Sequence, residues 1–304
     1  SGRRIVHLEA FTPEAWVEAA AAEQITHAMV VPTMLGRVLD VLEARGDIAP
    51  DSPEAEAYVQ SVIKDTIMHE VGHTIGLRHN FRASTLNDLK KVHDAEHTKI
   101  HGIAASVMDY SPFNIAPKGE KQGEYVMSTL GVYDYWAVEF GYRQFPPGQE
   151  SEGLAQILEK STQPELQFDT DEDAGYGNVI GIDPMVNRFD LGSDPLAYYK
   201  LRMKLSRELW DRLQTMALPT GESYERLTRS FRSGFAQVAN AAPLAAKYIG
   251  GVHTRRERAG SSKPLFEPVA AAKQREALNL ITKDFLGVES FKFKKRKKPK
   301  KKAK

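Results

Sequence analysis

The chain has 304 residues, of which 41% are hydrophobic and 27% charged, with no cysteine and a formal net charge of +1. That composition suits one large or two modest globular domains, with no apolar run long enough to cross a bilayer, and it excludes disulfides and thiolate metal sites, so a metal must be held by His and carboxylate. Residues 292–304 carry ten Lys or Arg and no acid, which leaves an acidic body of net −9 over residues 1–291 and a basic tail.

No apolar h-region follows Ser1-Gly2-Arg3-Arg4, so the start does not read as a signal peptide. At Phe11-Thr12-Pro13-Glu14-Ala15-Trp16, a Thr cap, Pro at the first helical position and an acid in the first turn predict a helix. Residues 25–31 read as a strand buried on both faces and ended by Pro32, and Met34 to Ala44 as an amphipathic helix. This unit, about residues 5–50, resembles an internal fragment of the acyl-CoA synthetases of the adenylate-forming superfamily, around Thr26-His27 and Val31-Pro32-Thr33-Met34. The chain has no Ser/Thr/Gly-rich phosphate loop, so adenylation chemistry is not expected.

Asp51-Ser52-Pro53-Glu54 reads as a turn and a helix start. The helix is expected to run to about Gly76, with Val59, Val62, Ile63, Ile67 and Val71 on an inward stripe. Its end is His69-Glu70-Val71-Gly72-His73, followed by Gly76 and His79. His69 and His73, four residues apart, project from one face and can grip a single ion. Glu70 points into the same cleft, where it can take a proton from a zinc-activated water. Gly76 ends the helix in the left-handed conformation, the chain turns back, and His79 arrives as a third nitrogen ligand. Three protein ligands leave a fourth position for water, the arrangement of a catalytic Zn²⁺. Chance occurrence of HExxH with solvated histidines is the plain alternative, and the added Gly76 and His79 spacing weighs against it.

Further on, His93, His97 and His101 repeat every four residues; a solvated polar face is favoured over a second metal cluster. Residues 111–123 read as loop and 128–142 as an aromatic-rich helix, with Tyr133, Trp136, Val138 and Phe140 in the core, broken by Pro146-Pro147-Gly148. Asp169–Asp173 and Asp183–Asp194 hold enough oxygens for calcium but lack EF-hand spacing, and are read as solvated loops and caps, Asp194-Pro195 as an N-cap and N1 pair. Helices follow over 194–217, 221–240 and 270–286, with a tight turn and a short extended stretch after Gly250-Gly251.

Ser106-Val107-Met108-Asp109-Tyr110, downstream of the long zinc motif, resembles the methionine turn of the metzincin clan of zinc proteases. The resemblance implies that Met108 is an apolar floor under the imidazoles and that Tyr110 reaches the metal or the transition state; a buried core Met and Tyr would look the same in isolation. The runs His79 to Ser84, Ser106 to Ala116, Tyr133 to Ala137, Asp169 to Ala174, Asp190 to Pro195 and Lys247 to Gly251 narrow it to the Met-zincin family of large bacterial metalloproteases, over about residues 53–293.

The expected fold is mainly α with minor β: a metzincin-like zinc-helix and methionine-turn core, a helical C-terminal subdomain and a disordered basic tail. Expected boundaries are 1–50, 51–145, 146–291 and 292–304. The expected function is zinc-dependent hydrolysis of peptide bonds with Glu70 as general base, Tyr110 assisting, and His69, His73 and His79 holding Zn²⁺. In metzincins a twisted sheet precedes the zinc helix, where this chain has the synthetase-like piece, so a zinc-binding but weak or inactive scaffold is the alternative. The expected partner is a peptide or protein substrate, with nonspecific polyanion contact through residues 292–304. The family resemblance implies an exported bacterial protein.

Overall fold

A computed structural model describes residue 48 and residues 52–175, 181–218, 220–221, 223–257, 259–260 and 262–293. The chain divides between Gly36 and Arg37 into two units, and everything described belongs to the second. Apart from Ile48, the synthetase-like segment, with its predicted strand 25–31, lies outside the described residues, as do the basic run from residue 294 and the disorder expected of it.

The fold is mainly helical. Helices α1 (Pro53–Thr74), α2 (Leu89–Val92), α3 (Ala95–His101), α4 (Val132–Tyr142), α5 (Glu150–Glu159), α6 (Asp171–Ala174), α7 (Pro195–Thr215), α8 (Glu225–Ala246) and α9 (Ala271–Asn279) follow in order. A two-stranded antiparallel ribbon, β1 (Val252–Thr254) with β2 (Phe266–Pro268), lies between α8 and α9. Among the described residues no helix is long and apolar enough to cross a membrane.

Local chemistry sets the ends of α1. The Ser52 hydroxyl accepts from the Ala55 N–H at 3.2 Å, with Pro53 at the first helical position. At the other end Leu77 N–H donates to Gly72 O and Gly76 N–H to His73 O, a Schellman closure with Gly76 at φ 91°.

The inward face of α1 differs from the expected stripe. Ala55, Tyr58, Val62, His69 and Gly72 are buried, whereas Ile63, Ile67 and Val71 are 42%, 55% and 50% exposed. Ile67 and Val71 stand two residues either side of His69, and at 100° per residue that places them on the opposite side of the helix. Once the ligand face is inward, they cannot be.

One hydrophobic cluster joins Ile103, Met108 and Met127 to Leu196, Tyr199, Trp210 and Phe285. Helices α7 and α8 pack side by side within it, and Tyr199 and Trp210 are almost wholly enclosed. After α9 the chain continues as a π-helical turn, Leu280–Phe285. A smaller cluster gathers Trp136, Ile157 and Leu166, so the core assignment of Trp136 holds, but Phe140 is 39% exposed.

The acidic runs are not solvated as expected. Asp169, Asp183 and Asp190 are buried. Arg82 pairs with both Asp169 and Asp183, the latter at 2.6 Å, and its charge survives burial because the two carboxylates outweigh the desolvation. Asp194 stands at the N-cap of α7, yet its side chain accepts from Lys273 at 2.8 Å and makes no cap bond. Removing the central cation would leave two buried carboxylates uncompensated. Arg82→Met is therefore expected to destabilise the chain by about 3–5 kcal/mol in denaturant unfolding.

Candidate metal centre

Helix α1 carries His69 and His73 into the interior on successive turns, and the loop closed by Gly76 returns His79 to meet them. Their donor nitrogens lie within 4.8 Å of one another, and no other group of three or more His, Cys, Asp or Glu among the described residues is placed to hold a metal ion. The rings of His69 and His73 are nearly perpendicular at 4.7 Å, as are those of His73 and His79.

Each ring is oriented through its Nδ1. His69 Nδ1–H donates to Val107 O at 2.7 Å, His73 Nδ1–H to Leu77 O at 3.0 Å, and His79 Nδ1–H to the Asp171 carboxylate at 2.8 Å. Because carbonyl and carboxylate oxygens only accept, each ring in its neutral form carries its proton on Nδ1 and presents an Nε2 lone pair. Those of His73 and His79 face each other at 3.2 Å. Two lone pairs so placed repel unless a cation lies between them, and tetrahedral zinc at about 2.0–2.1 Å from each nitrogen spaces its ligands by about 3.3 Å. The donor set therefore fits zinc. Burial lowers the His69 pKa, which favours the neutral, ligating form.

Asp171 is the residue that sequence reasoning missed. It accepts from His79 and, through its other oxygen, from Arg188 at 2.9 Å. Burial works to raise its pKa, but the hydrogen bonds from His79 and Arg188 prevail and hold it below the usual carboxylate value. Within a run of four acids, Asp169, Asp171, Glu172 and Asp173, only the tertiary contact singles it out.

Beneath the site, Met108 is wholly buried against Gly72, where an added Cβ would meet its Sδ at 2.3 Å. The turn around Met108 is held by Asp134, which accepts from Ser106 Oγ at 2.6 Å, Val107 N at 2.9 Å and Gly131 N at 2.7 Å. Glu70 is half-buried on α1, near enough for its charge to bear on His69 and Tyr110. The Tyr110 ring lies 4.5 Å from that of His79 and 5.3 Å from that of His69. Its phenol is pushed up by burial and by the charges of Asp171 and Glu70, so it remains a hydroxyl donor. A cavity of about 560 Å³ bounded by Gly76, His79, Trp136 and Phe168 abuts the third ligand. A larger one of about 670 Å³, by Leu89, His93 and Lys200, touches none of these residues.

The model of the Met-zincin family matches residues 51–300, most of the chain. The chain belongs to the Met-zincin family. No curated protein and no solved structure matches it. Met-zincin membership and the three-histidine cluster agree on a zinc metalloprotease-like centre. The Met-zincin match begins at residue 51, leaving the synthetase-like segment outside it. His93, His97 and His101 do not form a second centre: α2 ends at Val92, His93 is buried, and only the rings of His97 and His101 approach, at 4.8 Å.

Two substitutions test this arrangement. Asp171→Ala is expected to weaken zinc binding by about 10–100-fold in competition titration with a chelating dye, with Asp171→Asn less affected because its amide oxygen can still accept. Gly72→Ala would ordinarily favour a helix by about 0.5–1 kcal/mol. Here the clash with Met108 is expected to reverse the sign, destabilising the chain by about 1–3 kcal/mol in denaturant unfolding and loosening zinc binding.

Proposed function

We propose that this chain is a zinc-dependent endopeptidase, with His69, His73 and His79 as ligands, Glu70 as general base and Tyr110 as a transition-state donor. The observation that carries this reading is the meeting of one donor nitrogen each from His69, His73 and His79 within 4.8 Å, with all three Nδ1 positions already committed and Glu70 next to the first ligand on the same helix. When bound, zinc supplies a Lewis acid that lowers the pKa of a water and polarises the scissile carbonyl. Glu70 accepts the proton of the attacking water and returns it to the leaving amine. The Tyr110 hydroxyl, kept protonated by its surroundings, donates to the oxyanion as charge develops on it. Asp171 and the two carbonyls hold the imidazoles so that none has to reorient during the reaction.

Glu70→Gln keeps the shape of the side chain and removes its basicity. Metal analysis of that variant is expected to find the parent zinc content, while its rate on an unstructured protein falls by at least about 100-fold. A parent chain that holds zinc yet cleaves no peptide would instead mark a metal-binding scaffold.

A further inference from the structure

Phe189 is the one non-glycine among the described residues with a left-handed backbone, at φ 66°. A bulky side chain is rarely found there. Nor does burial explain it, since the residue is 46% exposed. The conformation is imposed by fastenings on both sides. Asn187 N–H donates to Phe81 O at 3.2 Å, Phe189 N–H to Tyr110 O at 3.0 Å, and Gly192 N–H to Ser84 O at 3.0 Å. Between them the buried Asp190 accepts from Ser84 Oγ at 2.6 Å and Asn187 Nδ2 at 2.8 Å. Strain that persists because its surroundings over-determine it is characteristic of ligand-binding segments.

The direction of the side chain gives that strain a purpose. Arg188 turns toward the metal centre, its guanidinium 4.4 Å over the Phe81 ring and bonded to Asp171. Phe189 turns instead to stack on Tyr110, at 6.0 Å between centroids and 22° between planes. Tyr110 is itself in contact with His69 and His79. An unbroken aromatic surface thus leads from the imidazoles to solvent, ending in a half-exposed ring that neither stability nor backbone preference would put there.

We infer that Phe189, with Tyr110, forms a subsite for an aromatic or large aliphatic side chain of the peptide beside the scissile bond. This rests on the endopeptidase reading and names the substrate class for it. The ring offers an offset-stacking face, and a side chain laid on it removes apolar area of both partners from water.

The test uses the full zinc-loaded chain carrying Glu70→Gln, so that bound peptide is not consumed. Two blocked hexapeptides of Gly and Ser, one with a single central Phe and one with Ser in its place, are titrated by calorimetry. The Phe peptide is expected to bind about tenfold more tightly. Adding Phe189→Gly should bring the two peptides within about twofold, while the thermal midpoint stays level or rises because glycine accepts the left-handed backbone. Phe189→Leu should keep part of the preference. Equal binding of both peptides, a preference that survives Phe189→Gly, or a marked fall in the midpoint of that variant would each overturn the subsite and leave the peptidase reading standing. Binding of neither peptide would overturn both.

Discussion

The metal centre depends on one constraint: the loop that returns His79 over the end of α1 must be pinned, because a ligand on a free loop would give its entropy back against the ion. The pin is the acidic segment 169–173. Phe81 N–H donates to Asp169 O at 2.8 Å, Asn80 Nδ2 to Gln167 O at 3.1 Å, Arg82 pairs with Asp169, and His79 donates to Asp171. Arg78 and Glu172 also pair at 2.6 Å, but both are more than half exposed and add little. The buried Arg82 pairs and the His79–Asp171 bond hold the loop.

The other side of the site is fixed from below. Asp134 gathers two donors from the turn around Met108 and a third from Gly131 at the cap of its own helix, the turn carries the Val107 carbonyl that orients His69, and the missing side chain at Gly72 lets Met108 press against α1. Two independent scaffolds, one for each end of the ligand set, therefore meet at the imidazoles. Tyr110 and Phe189 lie where they meet, since the Tyr110 carbonyl receives the Phe189 N–H. The strained loop that presents Phe189 is anchored to the same Phe81 and Ser84 that follow the third ligand, so the exposed aromatic ring and the histidine cluster share one framework.

What the sequence made legible follows from distance along the chain. The histidine spacing, the helix start at Ser52-Pro53 and the left-handed Gly76 are local; the helix start and the glycine appear as expected, and the three histidines come together. The helices expected over 128–142, 194–217, 221–240 and 270–286 appear, with ends shifted by up to six residues, because their apolar periodicity is strong, whereas the short α5 and α6 are not anticipated. The face of α1 is not legible locally, because Ile63, Ile67 and Val71 are as apolar as a core stripe and only the ligand direction decides which side is inward. Asp171 was illegible for a different reason: its partner lies 92 positions away, and its acidic neighbours look alike until the fold gives each a separate cation. The burial of Asp183 and Asp190 is illegible on the same ground, since an aspartate carries no local sign that an arginine or serine about a hundred positions away will enclose it.

The central claim is that three imidazoles, and no other protein group, hold the metal. Zinc K-edge X-ray absorption on the loaded chain tests it directly. Three nitrogen scatterers with the multiple-scattering pattern of imidazole and one oxygen are expected, all at about 2.0–2.1 Å. A sulfur shell at about 2.3 Å, a shell of six oxygens, or a signal with two imidazoles would contradict it.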